Sequence, residues 1–299
     1  MSNILVRGIM PAMITPLGKN GEILTGSVKK NMDRNYSQGA AGFYICGSTG
    51  EGPVLTCAQR MELAEATVGY NKGRGLIIDH VGAASPDEAF ALARHAKKIG
   101  CDGVSSVVPN FYFKYTEDEI VDYYKRLASA ACLPVIAYAQ GLLTGDVVSL
   151  MKKLIEIDGV IGVKFTLTDF YSLHRIKELN GGDINVINGP DEMLICGLAM
   201  GADAGIGSTY NLMCGEYNKL FNLFNSGDIN GARQTQYKIN RIVEILIRYG
   251  VIRSIKFVLS YLGIESGSAV YPAAPLSEGE GKALIHDLET AGYFTDYNL

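Results

Sequence analysis

The amino-acid sequence predicts an α/β fold, a (β/α)8 TIM barrel with a C-terminal helical extension. Eight short runs rich in Val and Ile recur between residues 8 and 208, and each is followed by a longer segment with helical periodicity. The runs are apolar throughout, which is typical of parallel strands that helices cover. Eight such units favour a closed barrel over an open doubly wound sheet.

The predicted strands follow one another at regular intervals. They lie at 8–15, 41–46, 76–81, 103–108, 133–139, 160–165, 184–189 and 204–208. The clearest helical segments lie at 56–71, 85–100 and 116–131. Two of these have N-terminal signals, because Pro86 follows Ser85 and Glu119 stands three residues after Thr116, as in a capping box. Strand signals stop after residue 214, so we expect a barrel with the site at 1–226 and a helical extension at 227–299.

The composition predicts a globular cytoplasmic protein. The 299 residues are 47% hydrophobic with a net charge of −4, and they contain no run of Lys and Arg, so no nucleic acid is expected as a partner. No window approaches the roughly 18 unbroken apolar residues of a membrane span, so no membrane is expected either. The N-terminal segment lacks the long apolar stretch of a secretory signal.

Cysteine and histidine usage predicts neither disulfides nor a metal site. The six cysteines occur singly, without a C-x-x-C pair, which indicates reduced core residues of a cytosolic protein. They stand at positions 46, 57, 101, 132, 196 and 214. The four histidines are too scattered to suggest zinc ligands, so we expect no metal.

Lys164 interrupts the sixth predicted strand, which is otherwise apolar. One interpretation is structural: the stem packs against apolar neighbours and the ammonium reaches water. The other is a desolvated lysine whose lowered pKa leaves a neutral amine, able to form a Schiff base with a carbonyl compound. The active site of a (β/α)8 barrel lies at the carboxyl ends of its strands, and Lys164 stands at such an end.

Other strand ends carry polar side chains that belong to the same face of the barrel. Ser48 and Thr49 lie in the turn "GSTGEG" after the second strand, which is either an ordinary Gly-rich turn or a cradle for a carboxylate. Tyr138 closes the fifth strand, either as a packing residue or as a proton shuttle. Together with Lys164 they form the set that an imine-forming enzyme acting on a 2-oxo acid requires, which favours the Schiff-base interpretation.

These motifs resemble a known enzyme superfamily. The turn "GSTGEG", the Tyr that closes strand five and "GVKF" at strand six are similar to the pyruvate-dependent class I aldolases, which include the N-acetylneuraminate lyases and the dihydrodipicolinate synthases. The resemblance runs from about residue 5 to at least residue 265. "GPDE" and "GIGSTYN" after strands seven and eight resemble the lyase branch, and Leu143 stands where the synthases carry an Arg.

The resemblance implies a reversible cleavage of N-acetylneuraminate to N-acetylmannosamine and pyruvate, with no metal or other cofactor. Lys164 would form the Schiff base with C2, Ser48 and Thr49 would hold the carboxylate, and Tyr138 would move the proton of the C4 hydroxyl. The residues that would meet the polyol tail are Thr166, Gly189, Asp191, Glu192, Gly207 and Ser208. The resemblance also implies a homotetramer.

Three alternatives stay open at this point. The chain could be another pyruvate-dependent aldolase, or a dehydratase, acting on a 2-oxo-3-deoxy sugar acid. It could also be a non-catalytic sugar-acid sensor, although binding alone does not require the retained Lys164. A phosphate-binding barrel enzyme that uses "GIGS" is the third, and the lack of basic residues near this loop argues against it.

Two departures from the family pattern concern the substrate. The chain has Tyr138-Ala139-Gln140-Gly141 where the lyases have an Asn or His, an Ile and a Pro after the Tyr. Gly in place of Pro loosens this loop, and Gln140 is polar, so the departure concerns the identity of the sugar acid more than the imine chemistry. Phe111 stands where the superfamily often has a Tyr that reaches a neighbouring subunit's site. Either the adjacent Tyr112 takes that relay role or the relay is absent.

Overall fold

The fold is a closed barrel of eight parallel strands. The computed structural model of the chain describes residues 5–108, 113–140 and 146–296. The strands are β1 Gly8–Pro11, β2 Gly42–Ile45, β3 Leu76–His80, β4 Gly103–Ser106, β5 Val135–Gln140, β6 Val160–Thr166, β7 Asn185–Asn188 and β8 Ala204–Gly207. Their order in the sheet is β1-β8-β7-β6-β5-β4-β3-β2, and Ala12 bridges to Tyr44, which joins the two ends of the sheet. The predicted barrel is therefore confirmed.

Helices alternate with the strands and continue after the last one. The α-helices are α1 Thr25–Ser37, α2 Cys57–Asn71, α3 Pro86–Ile99, α4 Glu117–Ala131, α5 Val147–Leu154, α6 Phe170–Lys177, α7 Leu194–Ala199, α8 Tyr210–Asn225, α9 Ile229–Tyr249, α10 Val251–Tyr261, α11 Glu278–Thr290 and α12 Tyr293–Asp296. Helix α4 has the predicted capping box, in which the Glu119 carboxylate accepts from the Thr116 N–H at 2.7 Å. Helix α3 begins at Pro86 without a side-chain cap from Ser85.

Side chains alternate in direction along each strand, so one set fills the barrel interior and the other lies beneath the helices. Tyr44, Ile78, Ile136 and Ile206 belong to one buried cluster, which receives side chains from strands all round the barrel. Their neighbours in sequence, such as Phe43, point outward into the larger core shared with the helices. In β5 and β6, Tyr138 pairs with Lys164, so both inward-facing side chains lie at the same height at the mouth.

The predicted end of the first strand and one burial prediction were wrong. Strand β1 ends at Pro11, four residues early, because the buried segment that follows turns away and the Thr15 hydroxyl donates to the Gly50 carbonyl at 2.6 Å. A buried apolar loop has the same sequence pattern as a strand. The cysteines are not all core residues: Cys132 is exposed in the left-handed turn that ends α4, and Cys57 and Cys196 are only partly buried.

The last four helices pack on the barrel. Helix α8 is followed by Gly227 in a left-handed turn. The Asp228 side chain then caps α9 by accepting from the Gly231 N–H at 2.8 Å. Buried side chains of α9, α10 and α11 belong to the same core as those of the barrel helices. The division of the chain at residue 226 therefore stays a prediction. None of the helices in the described ranges is both long and apolar enough to cross a membrane.

Candidate active site

Lys164 is enclosed at the mouth of the barrel. The residue is only 5% exposed, and its Nζ donates to the Thr166 hydroxyl at 3.0 Å. Nζ also lies 4.1 Å from the centroid of the Tyr138 ring and 5.6 Å from that of Tyr44, where the ring faces favour a cation. Within the described residues, no carboxylate lies at ion-pair distance from this amine. The structural interpretation, in which the ammonium reaches water, does not fit this burial.

The Tyr138 hydroxyl is more acidic than that of an ordinary tyrosine. Burial alone would raise its pKa, but the positive charge of Lys164 and hydrogen bonds from Lys164, Thr166 and Ser48 outweigh burial and hold the pKa below the usual 10.0. The Tyr138 ring is fixed edge-on against Tyr44 and His80, at centroid distances of 6.4 and 5.9 Å. A positioned phenol of lowered pKa is suited to proton transfer.

The turn after β2 carries Ser48 and Thr49, both at least partly accessible to solvent. Ser48 is exposed and Thr49 half-buried, whereas Cys46 and Glu51 on either side are buried, both with φ of 57°, in the left-handed region. Gly52 permits the turn, since a Cβ there would lie 1.8 Å from the Cys46 carbonyl oxygen. Two hydroxyls held on a tightly folded turn, with Ser48 near the Tyr138 hydroxyl, can hold a small anion such as a carboxylate.

Asp191 is a buried carboxylate whose pKa the charge of Lys164 influences. Its Oδ2 accepts from the Thr209 N–H and hydroxyl, both at 2.7 Å, and from the Ser208 hydroxyl at 3.3 Å. Burial raises the pKa of Asp191 to about 6, although the Thr209 hydrogen bonds favour the charged form. Gly207 allows the approach, because a Cβ there would lie 1.8 Å from Asp191 Oδ1.

The remaining residues of the predicted tail site divide into buried and exposed. Gly189 packs directly beside Thr166, since a Cβ there would lie 2.0 Å from the Thr166 hydroxyl oxygen. Glu192 is exposed, and its backbone carbonyl accepts from the Asn240 side chain at 3.0 Å. The structure thus brings Tyr138, Thr166 and Ser48 together around Lys164. The Asp191 carboxyl lies near enough to Lys164 and Glu192 for both charges to act on its pKa.

His80 is a buried residue of this site that we did not predict. Its Nε2 accepts from the Val107 N–H at 3.2 Å, so its Nδ1 carries the proton and donates to the Cys46 carbonyl at 3.2 Å. Burial, reinforced by Arg60 and Lys164, lowers its pKa to about 3, which keeps the ring neutral. His80 closes β3, so the rule that selects strand ends could have found it.

Gln236 of α9 is a second residue that we missed. Its amide nitrogen donates to the Asp191 carbonyl at 3.2 Å, and its amide oxygen accepts from the Ile195 N–H at 3.1 Å. Gln236 and Asn240 therefore hold the loop after β7 from outside. They belong to a long amphipathic helix in which nothing in the sequence distinguishes them from surface residues.

Some predicted features lie outside the described residues. Phe111, Tyr112 and Leu143 are among them.

Gln140 is half-buried and stands next to Thr166 across the β5–β6 pair. Among the side chains that the structure describes, no group of three or more His, Cys, Asp or Glu is arranged to hold a metal ion.

Comparison with known proteins supports the resemblance. The dihydrodipicolinate synthetase family model matches residues 5–291. An N-acetylneuraminate lyase of Citrobacter koseri is 36% identical over 290 residues, which are 95% of this chain and 97% of that protein. The solved structure of Proteus mirabilis N-acetylneuraminate lyase has a TM-score of 0.92 at 28% identity, covering 97% of this chain and 100% of the other. That of the N-acetylneuraminate lyase from Aliivibrio salmonicida has a TM-score of 0.93 at 25% identity, covering 99% and 100%. With its barrel, its enclosed lysine and these relatives, the chain belongs to the dihydrodipicolinate synthetase family.

Proposed function

We propose that this chain is a Schiff-base aldolase that reversibly cleaves N-acetylneuraminate to N-acetylmannosamine and pyruvate. The observation that carries the proposal is the Lys164 amine, enclosed at the carboxyl end of β6 against the Tyr138 ring. The relatives named as N-acetylneuraminate lyases support the choice of substrate.

The covalent step uses Lys164. Its Nζ adds to the C2 carbonyl carbon of the open-chain sugar acid, and water leaves as the imine forms. The C4 hydroxyl then loses its proton and C4 becomes the aldehyde carbon of N-acetylmannosamine. The electron pair of the C3–C4 bond passes through C3 into the protonated imine and leaves an enamine. A proton returns to C3, and water hydrolyses the imine to release pyruvate and free Lys164.

Tyr138 carries the proton of the C4 hydroxyl to solvent or to the substrate carboxylate. Its lowered pKa and its position beside Lys164 suit this role. Ser48 and Thr49 hold the carboxylate. The polyol tail meets Thr166, Gly189, Asp191, Glu192, Gly207 and Ser208. The imine itself is the electron sink, so the mechanism assigns no step to a metal or another cofactor.

A second candidate is cleavage or dehydration of a shorter 2-oxo-3-deoxy sugar acid. Gln140 favours it, because a polar side chain stands at the mouth beside Thr166 where the family pattern has none. We also propose that the protein acts in the cytoplasm as a homotetramer, with the barrel at 1–226 carrying the site. Tyr112 is then the candidate for a relay between subunits.

One experiment tests the imine and a second tests the substrate. The protein is incubated with pyruvate, reduced with borohydride and weighed, and we expect one pyruvyl adduct on Lys164. Absence of an adduct on the wild-type protein contradicts the aldolase mechanism and leaves the sensor. Pyruvate release from N-acetylneuraminate is then compared with release from shorter 2-oxo-3-deoxy acids. Reaction of the shorter acids alone means that the lyase assignment is wrong.

A further inference from the structure

The turn that carries Ser48 and Thr49 is tied to the C-terminal helices by a buried ion pair. Lys256 of α10 is fully buried, and its Nζ contacts the Glu51 carboxylate and donates to the Ser268 carbonyl at 2.9 Å. The other carboxylate oxygen of Glu51 accepts from the Val270 N–H at 2.6 Å. Both oxygens of Glu51 are therefore held by the segment that begins at α10.

A buried ion pair is a costly way to join two segments. Burial holds the pKa of Lys256 below its usual 10.5 even though Glu51 favours the charged form. Pairs of this kind are often no more stabilising than well-packed apolar residues, and what they add is a defined geometry. The geometry matters here because Glu51 has a left-handed backbone, which is strained for a residue with a Cβ. Without its partners Glu51 loses the side-chain contacts that add to the turn's own backbone hydrogen bonds in holding this conformation.

The two ends of the strained turn have different surroundings. Glu51 is buried against Lys256, whereas Ser48, three residues earlier, is exposed and lies near enough to the Tyr138 hydroxyl to help lower its pKa. The Glu51 N–H donates to the Ser48 carbonyl at 3.1 Å, so a shift of Glu51 moves Ser48 directly. A shift of Ser48 lengthens its hydrogen bond to the substrate carboxylate, and loss of one hydrogen bond to a charged group weakens binding by roughly 10-fold or more.

We propose that Lys256 and Glu51 are positioning residues of the carboxylate-binding turn, through which the C-terminal helices set the affinity for the carboxylate of any 2-oxo acid. This inference rests on the proposed function. The loop of Asp191 and Glu192 is held by different residues of the extension, Gln236 and Asn240 of α9. Loss of the ion pair therefore weakens the carboxylate end and leaves the tail end in place.

The test is the double variant Lys256→Met/Glu51→Gln, which removes both charges together so that no single buried charge is left. The half-saturating pyruvate concentration for borohydride trapping rises by roughly 10-fold or more, because the carboxylate loses a well-placed hydrogen bond. The maximal trapping rate, and the KM for N-acetylmannosamine at saturating pyruvate, change by less than about two-fold. A change in half-saturation without a change in maximal rate distinguishes a positioning role from a general loss of fold. Partial unfolding lowers the amount of active protein and leaves the half-saturating concentration unchanged.

The matched control is Lys282→Met/Glu278→Gln, which removes an exposed ion pair of α11 that contacts neither loop. This control variant keeps the half-saturating pyruvate concentration of the wild type. If the double variant at positions 256 and 51 does not fold by circular dichroism, Lys256→Gln/Glu51→Gln replaces it, which also removes both charges but keeps a hydrogen-bonding group at each position; an increase in half-saturation is again expected. Unchanged half-saturation in a folded variant overturns the inference. Absence of any pyruvate adduct on the wild type overturns the proposed function instead, so the two failures are distinguishable.

Discussion

The raised pKa of Asp191 predicts how the variant Asp191→Asn differs from the wild type in stability across pH. The carboxyl titrates near 3.8 in the unfolded chain and at about 6 in the folded one, so the folded state holds its proton more tightly. Such a group contributes a stabilisation that is present below 3.8 and lost as the pH rises through about 6. A shift of this size corresponds to roughly 3 kcal/mol, since each pKa unit is about 1.4 kcal/mol.

Asparagine has no such titration, so the free energy of unfolding of the variant does not fall over this interval on account of residue 191. The free energy of unfolding of the variant minus that of the wild type therefore rises by up to about 3 kcal/mol from pH 4 to pH 8. Asp79, whose pKa burial also raises to about 6, is present in both proteins and cancels. Any constant offset from the changed hydrogen bonds of Thr209 cancels as well.

The assay is urea unfolding of both proteins at several pH values between 4 and 8, with the free energies of unfolding subtracted at each pH. Denaturant slopes must agree between the two proteins for the subtraction to hold. Parallel stability profiles would refute the reasoning, because they would mean that Asp191 titrates alike in the folded and unfolded chain. A variant-minus-wild-type difference that is larger at pH 4 than at pH 8 would have the opposite trend to the expected one and would also refute the reasoning.

Three further predictions concern the chemistry. Lys164→Ala abolishes the borohydride-trapped adduct and lowers cleavage by roughly 10³-fold or more, and a variant with full activity contradicts the site assignment. Tyr138→Phe keeps the pyruvate adduct but lowers kcat for cleavage by about 10²–10⁴-fold, and an unchanged kcat in steady-state assays means that another group moves the proton. Gln140→Leu changes the ratio of kcat/KM between N-acetylneuraminate and a shorter 2-oxo-3-deoxy acid by about 10-fold and leaves pyruvate trapping unchanged; equal ratios in the two proteins mean that Gln140 does not select the substrate.

The sequence was most informative where a local pattern has one structural meaning. The spacing of Thr116 and Glu119 predicts a capping box, and the box is present. It was less informative at Thr15, where a buried loop continues the apolar pattern of β1. Cys132 shows the same weakness, because apolar neighbours in sequence do not reveal that a residue ends its helix in an exposed left-handed turn.

By itself the sequence determined the barrel and the strand ends where Lys164, Tyr138, Ser48 and Asp191 lie, since strand and helix periodicity and the rule for parallel barrels need only local information. Only the tertiary structure decided which charged and polar groups surround these four side chains. The Tyr138 pKa depends on charges and hydroxyls from other strands, and the contact between Glu51 and Lys256 joins residues far apart in the chain. Electrostatics and burial act through space, and no spacing along a sequence encodes the distance between two elements that fold together.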